Sequence, residues 1–208
     1  MKRKIYDRLL QWKQEKNGTT ALMIEGARRV GKSYIALEFA RNEYDSYILI
    51  DFSKAPARVK GWFDEYLEDI PTLLQNIQLH YKKQLTPRRS LIIFDEVQKC
   101  PRAREAIKAL VEDGRFDYIE TGSLISIKKN VENIVIPSEE DGIDMYPMDF
   151  EEFLWAMGNE VMMPYIRGQF EKLRPMGEFH REALHLFRQY LIVGGMPQAV
   201  AEYAASRD

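Results

Sequence analysis

A glycine-bearing segment near the start of the chain constrains the fold more than any other feature. The residues Gly26-Ala-Arg-Arg-Val-Gly-Lys-Ser33 set two glycines five positions apart, and a Lys-Ser pair follows the second glycine directly. The apolar run 20–25 before them is typical of a strand, and helical spacing resumes at Ile35. The two glycines let backbone N–H groups turn inward around phosphate oxygens, where a Cβ would interfere. This order predicts a phosphate-binding loop between a strand and a helix, with an incidental surface turn as the alternative.

Each residue of this loop is a candidate ligand for a nucleotide, and the prediction is ATP together with Mg²⁺. Lys32 supplies a catalytic cation to the terminal phosphates, while Ser33 offers its hydroxyl to Mg²⁺. Arg28 and Arg29 either meet phosphates or face solvent, and the residues alone leave both roles open. We expect nucleotide contacts from Gly26, Ala27, Arg28, Arg29, Val30, Gly31, Lys32, Ser33 and Tyr34.

A second apolar run, 91–94, ends in two adjacent acids, Asp95 and Glu96. A continuous apolar run of this kind is typical of a strand that is covered on both faces. Asp95 is the candidate Mg²⁺ partner, and Glu96 is the candidate catalytic residue that orients the attacking water. The alternative is a strand that simply ends in solvated acids. The second acid favours ATP hydrolysis over a small-molecule kinase, because such kinases need to exclude water.

A further predicted strand over 116–121 ends at the polar tripeptide Thr121-Gly-Ser123. Because ligands in parallel sheets bind at the carboxyl ends of strands, these hydroxyls belong to the same edge as the loop and the acid pair. Thr121 is a candidate catalytic residue that contacts the γ-phosphate or the water, and Ser123 is the alternative for that role. Both residue types also serve turns and helix caps, so a structural role is equally open.

Strands and helices alternate through most of the chain, and helical spacing dominates from Asp149 onward. This order predicts an α/β fold: a P-loop NTPase core of three α/β/α layers with a mostly parallel sheet, followed by a small helical lid. We place the ATPase core at 1–148 and the lid subdomain at 149–208. Two short strands are expected late in the core, at 134–136 and 143–146, on either side of an acidic turn at 139–142.

Composition excludes several classes of protein. The 208 residues suffice for one domain, or for one with a small appendage. Lys and Arg number 30 against 32 Asp and Glu, so a formal charge of −2 gives no reason to expect a protein that coats nucleic acid or a membrane. The single Cys100 excludes an internal disulfide framework, and no apolar run approaches the ~18 residues of a membrane span. We therefore expect a soluble, cytoplasmic protein without a membrane partner.

Five stretches of the chain together resemble one known family. They are IEGARRVGKSY (24–34), LIIFDEVQKCP (91–101), ETGS (120–123), MYPMDFEEFL (145–154) and YLIVGGMPQAV (190–200). These stretches are similar to the prokaryotic AAA-type P-loop ATPases whose longer members carry a C-terminal DUF4143 domain. The first two stretches are shared by many ATPases, whereas the aromatic-acidic stretch and the Gly-Gly-Met-Pro turn distinguish this family.

The resemblance implies a strand order and one further ligand. The strand that ends in Thr121 is expected between the strand of the loop and the strand that ends in Asp95. Pro197, in the Gly-Gly-Met-Pro turn, is expected to contact the base or the ribose of the nucleotide. An ordinary helix start is the alternative role for this proline.

The chain also departs from the family. Relatives carry a short Arg-containing connection after the TGS segment, whereas Lys128, Lys129 and the insertion 138–144 occupy that stretch here. No arginine finger is therefore assigned, although three arginines are candidates: Arg102, Arg104 and Arg115. Longer relatives continue beyond the lid, so an effector domain beyond residue 208 and self-association are both expected modes of partnership.

Three functions compete on these grounds. The leading hypothesis is an ATPase switch in which nucleotide held between core and lid sets the position of the lid. The second is a nucleotide-gated interaction module with negligible hydrolysis, which the unassigned arginine finger favours. A small-molecule kinase ranks third because of Glu96. DNA is a weaker candidate partner than ATP and ADP. Basic residues at 82–83 and 88–89, or at 2–4, could form a patch for DNA, but the net charge of the chain is negative.

Overall fold

The computed structural model describes residues 1–123 and 138–206. The chain divides into two compact units, which are described separately. The first unit spans Asp7–Met145 and contains the sheet. The second unit combines Met1–Tyr6 with Tyr146–Asp208 and is helical.

Five strands of the first unit form one parallel sheet in the order β2-β3-β4-β1-β5. Their bounds are Ala21–Gly26 for β1, Ser46–Asp51 for β2, Ser90–Asp95 for β3, Asp117–Ser123 for β4 and Glu140–Met145 for β5. The α/β fold and the parallel sheet are as predicted. The strand order implied by the family resemblance is also confirmed, because β4, which contains Thr121, lies between β1 and β3.

Helices flank this sheet, and the crossover rule explains their placement. Along the sheet, the connection from β1 to β2 runs in one direction, whereas those from β2 to β3 and from β3 to β4 run in the other. Right-handed crossovers in opposite directions place their helices on opposite faces, which gives the predicted three layers. The helices among the described residues of this unit are α1 Ile5–Lys16, α2 Lys32–Glu43, α3 Ala57–Glu65, α4 Ile70–Tyr81, α5 Pro101–Glu105 and α6 Ile107–Asp113, with a 3₁₀ turn at Val97–Lys99.

One hydrophobic cluster of this unit lies between the sheet and the helices α3 to α6. All six residues of β3 are buried, as expected for a strand covered on both faces. The rings of Phe52, Phe63 and Phe94 pack edge to face, with centroids 5.5 to 5.6 Å apart. Each buried Phe contributes on the order of 1.5–3 kcal/mol through removal of its apolar surface from water. This packing holds β3 rigidly, and with it the acid at the end of the strand.

The predicted acidic turn at 139–142 is wrong, because Glu140 to Gly142 belong to β5. The strand pairs with β1 in parallel, and Glu140 lies opposite Ala21. The carboxylate of Glu140 is buried and bonds to the Arg104 guanidinium through both Nη2 and Nε, at 2.8 and 3.2 Å. An acid that is neutralised by a buried arginine does not need solvent, and no local pattern in the sequence shows that pairing. The strand predicted at 134–136 lies outside the described residues.

Glu120, on β4, adds a second acid near this pair. The residue is completely buried. Burial raises the pKa of the Glu120 carboxyl well above its ordinary value of 4.5, and the Glu140 carboxylate raises it further, while the Arg104 guanidinium lowers it. A raised pKa means that the folded chain holds the Glu120 proton more tightly than the unfolded chain does.

We predict that Glu120→Gln changes how stability depends on pH. Wild type should lose stability through this group as the pH rises from about 4.5 through the folded pKa, because only the folded state retains the proton there. Gln carries no titrating proton. The free energy of unfolding of the variant relative to wild type should therefore increase from about pH 5 to about pH 8, as measured by urea unfolding.

The matched control is Glu112→Gln, since the Glu112 side chain is 62% exposed. This control should leave the pH dependence of stability close to that of wild type. A Glu120→Gln variant with the same pH dependence as wild type would contradict the buried proton.

The described part of the second unit, up to residue 206, contains four helices beyond residue 146, and a capping box begins the first of them. Their bounds are α7 Phe150–Ala156, α8 Met162–Glu171, α9 His180–Val193 and α10 Pro197–Ala205, with a 3₁₀ turn at Gly177–Phe179. The Asp149 side chain accepts from the Glu152 N–H at 2.9 Å, and the Glu152 side chain accepts from the Asp149 N–H at 3.2 Å. The exchange satisfies two backbone donors at the helix start. None of the described helices is both long and apolar enough to cross a membrane.

Glu152 also anchors the first residues of the chain to this unit. Its Oε1 accepts from the Arg3 Nε at 3.1 Å and from the Lys4 N–H at 2.7 Å, and the Arg3 and Glu152 side chains are each 6% exposed. The Lys4 ammonium reaches Asp149 and Glu151 at 2.5 and 2.7 Å. The acidic residues of the family-distinguishing stretch 145–154 therefore hold the N-terminal segment in place.

Candidate nucleotide-binding site

Gly26 ends β1 at a point where the neighbouring strand leaves no room for a side chain. Its φ is +154°, and a Cβ built on it would lie 2.2 Å from the carbonyl oxygen of Met145 on β5. Gly31, at the start of α2, has a φ of +100°, which L-residues with a Cβ rarely adopt. The first glycine of the loop is thus required by the packing of the sheet, and the second by the turn into the helix.

The Lys32 ammonium lies against the loop itself. Its Nζ donates to the carbonyl oxygens of Ala27 and Gly26, at 2.7 and 3.1 Å, and the residue is 6% exposed. Burial lowers the pKa of Lys32 below its usual value, and the carboxylates of Glu96 and Asp95 act in the opposite direction. The Lys32 ammonium is therefore within electrostatic reach of Asp95, the last residue of β3, and of Glu96, which follows it.

The Asp95 carboxylate joins α2, β3 and β4. Its Oδ1 accepts from the Ser33 hydroxyl at 2.6 Å and also from the Thr121 hydroxyl. Asp95 is 7% exposed and Thr121 is 1% exposed. Hydroxyl and carboxylate oxygens of this kind are the ligand class that Mg²⁺ prefers. The residues predicted from three separate stretches of the sequence thus converge at the carboxyl edge of the sheet.

Glu96 follows Asp95 in a left-handed backbone conformation, with φ 54° and ψ 46°. A non-glycine residue in this region costs roughly 1–3 kcal/mol and persists only where the surroundings hold it. Its N–H donates to the Thr121 Oγ1 at 3.3 Å, and its carboxylate Oε2 accepts from the Gln98 amide. Thr121 therefore bridges the two acids, because its hydroxyl accepts a hydrogen bond from the Glu96 N–H and donates one to the Asp95 carboxylate. Sequence reasoning did not single out Gln98, although the run Asp95-Glu-Val-Gln98 places its amide one helical turn from the acids.

The remaining loop residues differ in exposure. Val30 is fully buried and serves the core, whereas Ala27, Arg28 and Arg29 are exposed. Tyr34 is 57% exposed on the first turn of α2. Ser123 ends β4 opposite Gly26 and is 4% exposed, so the residue lies beside the start of the loop.

Pro197 belongs to the second unit, where it forms the first turn of α10. Gly195, two residues earlier, packs against Met148. The Met148 N–H donates to the Gly195 carbonyl at 2.7 Å, and a Cβ on Gly195 would lie 2.2 Å from the Met148 carbonyl oxygen. The two stretches that distinguish the family in the sequence thus contact each other directly.

The three candidate arginines are all bonded to acids. Arg102 pairs with Asp64 at 3.0 Å and with Glu105 at 2.6 Å. Arg115 pairs with Asp113 at 2.8 Å, and Arg104 is the partner of Glu140 described above. Lys128 and Lys129 lie outside the described residues. Within residues 1–123 and 138–206, no group of three or more His, Cys, Asp or Glu side chains is arranged to hold a metal ion.

We predict that Gly26→Ala destabilises the sheet. The added methyl would meet the Met145 carbonyl at 2.2 Å, so β1 and β5 must separate locally. A loss of about 2 kcal/mol or more in the free energy of unfolding is expected from overpacking and backbone strain. Chemical denaturation without nucleotide measures the loss independently of any ligand.

Gly142→Ala on β5 is the matched control, because a methyl group added at this position would have no atom within 4 Å of it. This control should change stability by less than about 1 kcal/mol. Equal stability of the two variants would show that the close approach of the strands does not require Gly26.

Comparisons with known proteins agree with the fold described above. The family model described as an AAA domain matches residues 18–154, which is more than half of the chain. No curated protein sequence matches the chain.

Among solved structures, the Walker-type ATPase PABY2304 of Pyrococcus abyssi matches all of this chain and 68% of its own, with 18% identity and a TM-score of 0.56. The Aeropyrum pernix ORC1 protein in complex with DNA matches 78% of this chain and 50% of its own, with 10% identity and a TM-score of 0.49. At this level of identity, the first similarity supports the α/β fold alone.

Proposed function

The chain belongs to this AAA domain family, and we propose from that premise that it is an Mg²⁺-dependent ATPase whose nucleotide state drives a conformational switch. The observation that carries the proposal is the Asp95 carboxylate, which accepts hydrogen bonds from Ser33 and Thr121 beside the loop that holds Lys32. The residues proposed to bind phosphate and metal lie together with the second acid at one edge of the sheet, which supports this proposal.

In this proposal, Ser33 and Asp95 hold the metal. Their oxygens are 2.6 Å apart, and both belong to the hard ligand class that Mg²⁺ takes. When bound, Mg²⁺ supplies positive charge to the phosphate oxygens of ATP. Thr121 keeps the Asp95 carboxylate oriented toward α2, because its hydroxyl bonds to the same oxygen that Ser33 reaches.

Lys32 and Glu96 have the two remaining roles in the proposed hydrolysis. Lys32 is to exchange its bonds to the Ala27 and Gly26 carbonyls for bonds to the terminal phosphates, where its charge stabilises the transition state. Glu96 is to orient the attacking water and accept its proton, as a carboxylate one residue beyond the metal ligand can do.

The switch is proposed to act through the helical lid at 149–208, with the ATPase core at 1–148. We propose that ATP binding changes the position of the lid and that hydrolysis restores it. As the family resemblance suggests, Pro197 would contact the base or the ribose. By the same resemblance, we propose that the chain is a prokaryotic AAA-type ATPase of the DUF4143-associated kind. Its composition is the ground for proposing that it acts in the cytoplasm. An effector domain or a second copy of the chain would then receive the motion.

We predict that two substitutions separate binding from hydrolysis. Lys32→Ala should abolish ATP binding, because it removes the cation of the loop. Glu96→Gln should bind ATP with wild-type affinity and lower kcat by about 10²-fold or more, since the amide cannot accept the proton of the water. Calorimetric titration with ATP and a phosphate-release assay measure the two properties.

Lys108→Ala is a suitable control, because this side chain is 57% exposed and bonds only weakly, to Glu112 at 4.0 Å. The control should behave as wild type in both assays. Hydrolysis by Glu96→Gln at the wild-type rate would refute the assignment of the catalytic acid.

A second candidate function is a nucleotide-gated interaction module whose hydrolysis of ATP by itself is negligible. The observation in its favour is that Arg102, Arg104 and Arg115 are each engaged by an acid. An arginine supplied by another copy or by a partner would then be needed for fast turnover.

We predict for this second function that the rate per molecule rises with protein concentration. Turnover should increase when copies associate, because an arginine donated between molecules stabilises charge in the transition state. A phosphate-release assay over a wide range of concentration, with and without duplex DNA, measures the effect. A fast rate that is independent of concentration and of DNA would exclude this candidate in favour of a self-sufficient ATPase.

A further inference from the structure

Gln98 lies in the 3₁₀ turn directly after the two acids, and its side chain is enclosed by the protein. The residue is 6% exposed. Its Nε2 donates to the Glu96 Oε2, whereas its Oε1 is buried and has no hydrogen-bond partner among the described residues. The one hydrogen bond observed for the Gln98 amide is therefore the bond to the carboxylate proposed as catalytic.

The stability of the fold does not account for an amide at this position. A buried acceptor without a partner is unfavourable, because it has lost its bonds to water and gained none in the protein. A methionine side chain of similar length would fill the same volume without that penalty. What the amide provides, and methionine cannot, is the N–H group that faces Glu96.

The contacts of Glu96 show what that N–H group does. The Glu96 backbone is held in its left-handed conformation, with its N–H on the Thr121 hydroxyl at 3.3 Å. Its side chain is held by Gln98 through Oε2. The residue is thus fixed at both ends, and the Oε1 of its carboxylate is the oxygen that the Gln98 bond leaves to other partners.

We propose that Gln98 is a positioning residue for ATP hydrolysis: it binds one oxygen of Glu96 so that the other is presented to the attacking water. This inference rests on the proposed ATPase function. Gln98 does not contact the reacting atoms, and it acts by limiting the orientations of the Glu96 carboxylate. Orientation of a catalytic group by a neighbouring hydrogen bond contributes to the rate without a contribution to substrate binding.

The test is Gln98→Met, which keeps the length of the side chain and removes the donor. We expect kcat to fall by about 10-fold or more, while the affinity for ATP stays within about twofold of wild type, because the bond acts on the water and not on the nucleotide. The melting temperature should be equal to or above that of wild type, since a buried unpaired acceptor has been removed. Gln75→Met, at an exposed position of α4, is the control and should leave all three quantities unchanged.

A second variant and a second genetic background distinguish a positioning role of Gln98 from a structural one. Gln98→Asn retracts the amide by one methylene, so it should also lower kcat. In a Glu96→Gln background, Gln98→Met should lower kcat no further, because the group that it positions is already lost. This lack of additivity is a readout that a purely structural role would not produce.

Each outcome decides between the proposals. If wild type hydrolyses ATP, Glu96→Gln does not, and Gln98→Met turns over at the wild-type rate, then Gln98 has no positioning role and the ATPase assignment stands. Loss of ATP affinity or a lower melting temperature in Gln98→Met would also overturn the positioning role in favour of a structural one. If wild type shows no turnover with Mg²⁺ and ATP under any condition, the proposed function fails and the role of Gln98 fails with it.

Discussion

The Oδ1 atom of Asp95 is the point on which the proposed site depends. It accepts from Ser33 on α2 and from Thr121 on β4, while Asp95 itself ends the fully buried β3. Three elements that are distant in sequence are thereby held in one geometry. Because the Thr121 oxygen also accepts from the Glu96 N–H, the same cluster fixes the strained turn that follows. A change at the Thr121 hydroxyl would therefore affect both acids at once.

Buried charge supports each of the two units in a similar way. In the first unit, Arg104 on α5 neutralises Glu140 on β5, next to the buried Glu120. In the second, Arg3 neutralises Glu152, which also caps α7. Removal of one partner from a buried pair costs roughly 3–5 kcal/mol, because the other charge remains without compensation. These pairs therefore restrict which substitutions each unit can accept.

Much of the fold follows from local patterns in the sequence. Apolar runs that end in polar residues predicted β1, β3 and β4, and the glycine spacing predicted the loop between β1 and α2. The order of the strands required the family resemblance as well, since periodicity does not show which strands are neighbours. Adjacent acids and a glycine at 139–142 are typical of an exposed turn, and the buried partner that neutralises Glu140, Arg104, lies far from this segment in sequence. Gln98 was missed for a related reason, since only its burial and its bond to Glu96 distinguish it from a surface glutamine.

The proposed ATPase function depends on a site for Mg²⁺ formed by Asp95 and Ser33 beside the glycine-bearing loop. Calorimetric titration of ATP into wild type and Asp95→Asn, each with and without Mg²⁺, tests it most directly. Mg²⁺ should tighten ATP binding to wild type by about 10-fold or more and have little effect on the variant, because the asparagine amide is a poor substitute for a carboxylate ligand. An equal effect of Mg²⁺ on both proteins would show that Asp95 does not hold the metal.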